Sequence, residues 1–173
     1  MWTQNNMNSE PLGSGNSTQQ KSLTNLPVPT ALNWHCEAVC NYDCTFCYAP
    51  FEDQRKRSRL TSEEGCKVIE NLARSGIQKI NFVGGEPMLH PHIQDWVRHS
   101  KKVGMTTSIV SNGTRMDVQF LSDMVGHLDW LGLSIDASSD ELHALMGRGL
   151  KGEIRQGHSN HLNRTKSIVQ KAR

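Results

Sequence analysis

No stretch of this sequence approaches the ~20 consecutive apolar residues that span a bilayer, so a membrane-spanning helix is not expected. Net charge is nearly absent as well. Nineteen Lys and Arg against 17 Asp and Glu leave +2, too little to argue for direct binding to nucleic acid. Apolar residues make up 36% of the chain, a little under the usual share of a globular domain. The first residues offer neither a basic start nor an apolar core. No signal peptide is therefore expected, and the expected location is cytoplasmic. No repeat of solenoid period occurs. Cysteine is scarce, five in 173 residues, yet Cys36, Cys40, Cys44 and Cys47 crowd into one short segment. That distribution suits a reducing compartment and a metal, not a disulfide framework.

What is present divides at about residue 26. Residues 1–26 are rich in Asn, Ser, Gln, Thr and Gly and are expected to be a disordered polar tail. Residues 27–173 suffice for one domain. Within them strand and helix signals alternate. A first strand is expected over Thr30–His35. Thr61 and Glu64 form a capping-box pattern before a helix carrying Val68, Ile69 and Leu72, which Gly76 stops. A strand over Ile77–Val83 precedes a helix opened by Pro91, with Ile93, Trp96 and Val97 as its buried stripe. Strands over Thr106–Val110 and Trp130–Ile135 flank a helix marked by Val118, Leu121, Val125 and Leu128. Ser138 or Ser139 caps a short helix, and a last helix is expected from His158. The alternation predicts an α/β fold with a parallel sheet of right-handed βαβ units.

Chemistry concentrates in the cysteine segment. Cys40, Cys44 and Cys47 are spaced C-x3-C-x2-C. Three thiolates can hold three corners of a cubane cluster and leave one iron open. With Cys36 added, a closed four-cysteine zinc site is the alternative that spacing alone leaves open, and the cluster is the favoured reading. Gly84-Gly85-Glu86-Pro87 follows the second strand and Ser111-Asn112-Gly113 the third, and each by itself reads as a turn. Lys79 and Asn81 share one strand face. An inward lysine is costly without an anion, which makes Lys79 a candidate phosphate ligand; snorkelling to solvent is the alternative. The stretch Arg55, Lys56, Arg57 and Arg59 reads as a solvated loop or as an attractor of polyphosphate. Arg148 and Lys151 lie in a glycine-rich stretch, Gly147–Gly152, that could offer charge and N–H groups to a triphosphate or be merely a basic loop. Cys66 reads as an inert thiol on a helix.

A cysteine loop, a Gly-Gly-Glu-Pro turn and a Ser-Asn-Gly turn in that order look like a radical S-adenosylmethionine (SAM) enzyme. Asn33-Trp34-His35, Lys79-Ile80-Asn81-Phe82 and Met146-Gly147-Arg148-Gly149 narrow the likeness. Together they resemble the viperin-like, nucleotide-dehydrating branch, from about Pro29 to Gly152. The resemblance implies a partial parallel (β/α) barrel of radical SAM type, with about four of six β/α units present. A fragment of a longer product is then expected, because the free edge of the fourth strand would be a liability. The resemblance further implies a [4Fe-4S] cluster on Cys40, Cys44 and Cys47. SAM would be held by Phe46, Gly84, Gly85, Glu86, Pro87, Ser108, Ser111 and Asn112, with Glu86 accepting from its ammonium group and Phe46 near its adenine. Tyr48 would shield the cluster or simply pack.

A nucleoside triphosphate would meet Asn33, Lys79, Asn81, Arg148 and Lys151. No catalytic side chain beyond cluster and SAM is implied. The reaction implied is abstraction of the C4′ hydrogen and loss of the 3′-hydroxyl as water, a lyase chemistry serving antiviral defence. The partners implied are an external one-electron donor such as ferredoxin or flavodoxin, with no direct nucleic acid and no membrane. The chain departs from the family at Cys36, where an apolar residue is usual, and at Asp117 and Gln119, where vertebrate sequences are basic. Arg115 is the nearest candidate for a SAM-carboxylate arginine. Another radical SAM enzyme, an activase or a cofactor-pathway enzyme, is the second reading. A non-catalytic zinc protein is the third.

Overall fold

The computed structural model describes residue 27, residues 29–49 and residues 58–172. The polar tail of residues 1–26 and the basic residues Arg55, Lys56 and Arg57 lie outside the described residues. Four parallel strands form one sheet in sequence order: β1 (Ala31–Glu37), β2 (Lys79–Gly84), β3 (Thr106–Ser111) and β4 (Trp130–Leu133). Between them run α1 (Ser62–Arg74), α2 (Ile93–Lys102) and α3 (Val118–Asp123). After β4 come α4 (Asp140–Leu145), α5 (Lys151–Arg155) and α6 (His161–Lys171).

Alternation along the strands separates two faces. Ile80, Phe82 and Ile109 are fully buried on the helix-covered face, against Ile69 of α1 and Trp96 and Val97 of α2. Trp34 of β1 stacks on Trp96 with ring centroids 4.8 Å apart. The Trp96 indole N–H donates to the Ser62 carbonyl at 3.1 Å, which satisfies its one polar group inside the core. The other face carries Asn33, Lys79, Asn81, Ser108 and Trp130, and lines a cavity of about 520 Å³.

Thr61 caps α1 as the sequence predicts. Its hydroxyl accepts from the Glu64 N–H and the Glu64 carboxylate accepts from the Thr61 N–H. Other boundaries move, for local reasons. Strand β1 runs on to Glu37 through an irregularity after His35, because the Glu37 carbonyl accepts from the Gly85 N–H at 2.7 Å. The helix expected from His158 starts at His161 instead. Ser159 uses its hydroxyl to donate to the Arg148 carbonyl and to accept from the His161 N–H, and Asp140 accepts from the Leu162 N–H. The stretch read as a continuous glycine-rich loop, Gly147–Gly152, ends in α5, with Lys151 as its first residue.

His90 sets a pH dependence for this core. It is 2% exposed, lies 4.2 Å from the Trp96 ring, accepts from the His92 N–H, and leaves Nε2 without a hydrogen-bond partner. Burial lowers its pKa from 6.5 to about 4. The unfolded chain therefore binds a proton that the folded chain refuses between those values. This contribution to stability is complete above pH 6.5 and is lost as pH falls towards about 4. Denaturant titrations across that range will show falling stability, and His90→Asn, which keeps an acceptor for the His92 N–H, will flatten the slope. An unchanged slope in the variant would assign the effect to other groups.

Candidate active site

The cysteine loop sits where β1 leaves the sheet, at the carboxyl ends of the strands. Three turns brace it. The first is Gly84-Gly85-Glu86. The Gly85 N–H donates to the Glu37 carbonyl, and the Glu86 N–H donates to the Val39 carbonyl at 2.8 Å. A Cβ on Gly85 would stand 2.5 Å from the Val39 carbonyl oxygen, so only glycine permits this approach. The second is Ser111-Asn112-Gly113. The Asn112 amide donates to Asn41 Oδ1 at 2.8 Å and reaches Cys40 Sγ at 3.9 Å, while Asn41 donates to the Thr114 hydroxyl at 2.7 Å. The third is Met146-Gly147-Arg148. The Met146 carbonyl accepts from the Thr45 N–H. Gly147, with φ +68°, has its Cα hydrogen where a Cβ would meet the Asp43 carbonyl at 2.6 Å.

Four residues expected to meet ligands, Glu86, Ser111, Asn112 and Arg148, are engaged within the protein. Glu86 is 1% exposed, and both its oxygens are committed. Oε1 accepts from the Ser111 hydroxyl at 2.7 Å and the Met88 N–H at 3.0 Å, and Oε2 from the Asn112 N–H at 2.8 Å. Burial pushes its carboxyl above the ordinary value, against the pull of those donors. Glu86 is thus a bolt between two turns. Ser111 and Asn112 are spent on the same joint and on the cysteine loop. Arg148 does not project from a mobile basic loop. It is 7% exposed, pairs with Asp136 at 2.6 Å and reaches Cys44 Sγ at 3.5 Å. Lys151 is exposed on α5 and does not line the inner-face cavity.

Cys36 is set apart from the loop cysteines by its side of the sheet. Alternation turns its thiol to the helix-covered face, where it packs on the core and donates to the Val83 carbonyl at 3.5 Å. Burial pushes its pKa up to about 12. It is a core thiol, so the four-cysteine zinc reading loses a ligand. Cys40, Cys44 and Cys47 remain. Cys40 Sγ accepts from the Tyr42 N–H at 3.4 Å and Cys44 Sγ from Arg148, which is the donor environment of ligating sulfurs. Burial raises the pKa of Cys40 and of Cys44, and nearby cysteines add to both shifts. Among the described residues no three His, Cys, Asp or Glu side chains are gathered tightly enough for one metal ion. A cubane asks less, since each of its cysteines meets a different iron.

The expected substrate and cofactor residues on the open face do come together. Asn81 donates to Asn33 Oδ1 at 2.9 Å, and Ser108 donates to Asn81 Oδ1 at 2.7 Å. One residue per strand thus makes a polar row in register across β1, β2 and β3. Lys79 starts β2, with Nζ 5.8 Å from the Trp130 ring centroid. It lies roughly 16 Å along the strand from Gly84 at the usual rise per residue. Phe46 is half-exposed with its ring 5.9 Å from the Arg148 guanidinium, and Tyr48 is 86% exposed. Asn41, Tyr42 and His161 also brace the site and were not anticipated. Only the position of Asn41 and Tyr42 between two cysteines could have pointed to them.

The chain matches the Radical SAM superfamily over residues 38–158. It is 38% identical over 122 residues to an S-adenosylmethionine-dependent nucleotide dehydratase of Flammeovirga pacifica, covering 68% of this chain and 42% of that protein. A protein of the same name from Lacinutrix mariniflava is 35% identical over 138 residues, covering 78% of this chain and 29% of its own length. The chain therefore spans less than half the length of these curated relatives. Among solved structures, Streptococcus suis SuiB bound to S-adenosylmethionine superposes with a TM-score of 0.63 at 14% identity, over 84% of this chain and 31% of SuiB. That likeness concerns the fold alone. A braced three-cysteine loop on a parallel sheet, and a match across most of the chain, lead to one conclusion: this chain belongs to the radical SAM superfamily.

Proposed function

We propose that the chain serves a nucleotide dehydratase reaction. The reaction would convert a nucleoside triphosphate to its 3′-deoxy-3′,4′-didehydro form by removal of the C4′ hydrogen and loss of water. The observation that carries this reading is a polar row on the open face of the sheet whose carboxyl ends carry the cysteine loop. The cysteine loop stands at the carboxyl ends of the strands. The polar row Asn33–Asn81–Ser108 and then Lys79 follow down the open face. The relatives named as nucleotide dehydratases support the substrate class.

Cys40, Cys44 and Cys47 would hold a [4Fe-4S] cluster, which when bound supplies the electron that cleaves SAM to a 5′-deoxyadenosyl radical. The chain's own residues position and shield. Gly84 and Gly85 seat the cysteine loop through backbone contacts. Arg148 offers positive charge beside Cys44. Asn33, Asn81 and Ser108 offer donors and acceptors to a ribose, and Lys79 offers charge to phosphates. The electron would come from an external one-electron protein donor of the ferredoxin or flavodoxin kind. The protein would act in the cytoplasm, and the role that follows from a chain-terminating product is antiviral.

The test is an anaerobic incubation of the iron- and sulfide-reconstituted chain with dithionite, SAM and each nucleoside triphosphate, read by mass spectrometry. The expected products are 5′-deoxyadenosine and a nucleotide lighter by one water. Deoxyadenosine without the lighter nucleotide from any base would count against the dehydratase and leave the superfamily assignment standing.

A further inference from the structure

Behind the cysteine loop lies a set of buried groups that the roles above leave unused. Tyr42, between Cys40 and Cys44, is 4% exposed. Its hydroxyl lies 3.0 Å from His161 Nδ1 and accepts from Arg164 Nη1 at 2.8 Å, and Arg164 pairs with Glu153 at 2.6 Å. His161 is fully buried, with Nε2 2.7 Å from the Ser134 carbonyl oxygen. A carbonyl can only accept, so Nε2 carries the hydrogen and Nδ1 is left to accept from Tyr42. The hydrogen bonds then run one way, from Arg164 through Tyr42 and His161 to the end of β4. Burial keeps the ring neutral by lowering its pKa to about 4.

Arg148 is located by the same oxygen. Its Nη2 donates to the Ser134 carbonyl at 3.0 Å, and its Nε is paired with Asp136. Nε also lies 3.3 Å from His161 Nε2, so the imidazole walls that side of the guanidinium. Nη1 is left directed at Cys44 Sγ. The guanidinium is thus held from three sides, with the Tyr42 and Phe46 rings 6.0 and 5.9 Å from its centre. A planar fork so constrained has one direction left for its remaining donors.

We propose that His161 positions Arg148 so that its guanidinium donates to the Cys44 sulfur, and that this contact sets the reduction potential of the cluster. The inference rests on Cys44 being a cluster ligand. Charge and hydrogen bonds at the sulfurs are recognised determinants of cluster potential. A cation donating to a ligating sulfur stabilises the reduced, more negative cluster and raises the potential. Asp136 offsets part of that charge. His161 is a positioning residue, acting through Arg148.

The signs provide the test. The full chain is reconstituted anaerobically, matched for iron and sulfide, and titrated by redox potential with electron paramagnetic resonance detection, in the absence of SAM. Arg148→Met will shift the potential to more negative values. Asp136→Asn, which keeps the arginine and removes its counter-charge, will shift it to more positive values. His161→Phe will move it in the negative direction with Arg148 still present. His161→Gln, which keeps a donor for the Ser134 carbonyl, will return it towards that of the unaltered chain. Shifts of Arg148→Met and Asp136→Asn in the same direction, or of neither, would overturn the charge argument. If Arg148→Met retains no cluster, Asp136→Asn decides alone. An unaltered potential in His161→Phe would overturn the positioning role. An unaltered chain that gives no cubane signal would remove the cluster reading itself, an outcome distinct from all of these.

Discussion

Alanine at Cys40, Cys44 or Cys47 will each strip the reconstituted protein of its iron–sulfur absorbance and of SAM cleavage, whereas Cys36→Ala will keep both. The three cysteines lie in a loop of eight residues braced by three turns, and two of their sulfurs already receive N–H donors. A cubane held by three thiolates has no ligand to spare. Loss of an outer-shell partner alone costs roughly 10–100-fold in affinity or activity, so loss of a ligand will exceed ~100-fold. Cys36 differs in environment, not in residue type. Its thiol is turned into the core and held protonated by burial, with a pKa of about 12. Removing its sulfur trims a packing contact and costs about 1 kcal/mol in stability. Iron and sulfide assays with deoxyadenosine detection decide the matter. Loss of iron from Cys36→Ala equal to that from Cys44→Ala would reinstate a four-cysteine site.

Glu86→Gln will lower stability by about 2–3 kcal/mol, because a carboxylate receiving three donors is replaced by a group that must donate on one side. Whichever way the amide is placed, its NH2 faces either the Asn112 N–H or the donors on Oε1, the Met88 N–H and the Ser111 hydroxyl. No water can relieve the conflict at a residue 1% exposed. For a chain of this size that cost corresponds to a fall in Tm of roughly 4–12 °C. The cysteine loop will loosen as well, since the Glu86 backbone holds Val39 and its side chain holds Asn112, which holds Asn41. Reduced cluster retention at an unchanged iron-to-sulfide ratio is the expected companion result. A Tm equal to that of the unaltered chain would show that the carboxyl is already protonated, and that it serves as a donor in that joint.

Some of this was open to reading along the chain. The spacing of Cys40, Cys44 and Cys47 is local, so they share one loop in any fold. The alternation of strand and helix patterns is local too, and its order is the order of the strands in the sheet. The side of the sheet on which Cys36 falls was within reach, since Trp34 and Cys36 alternate with Asn33 and His35. The capping box at Thr61 needed only four residues. The alternation that put Lys79 and Asn81 on one face likewise needed no partner from elsewhere.

The roles of the polar residues were not legible in this way. Glu86, Ser111, Asn112 and Arg148 were expected to face ligands, and each also has a partner in the protein. Some of those partners are distant in the chain, 25 residues away for Ser111 and Glu86 and 104 residues away for Arg148 and Cys44. A carboxylate or guanidinium in a sequence announces that it needs a partner but not which one. The sequence by itself determined the cysteine loop, the parallel α/β plan and the residues of the open face, because those depend on spacing and period. Only the tertiary structure decided that three turns would close around that loop and that Arg148 would meet Cys44. Each of those outcomes depends on how closely distant backbones approach, and Gly85 and Gly147 permit that approach by having no side chain in the way.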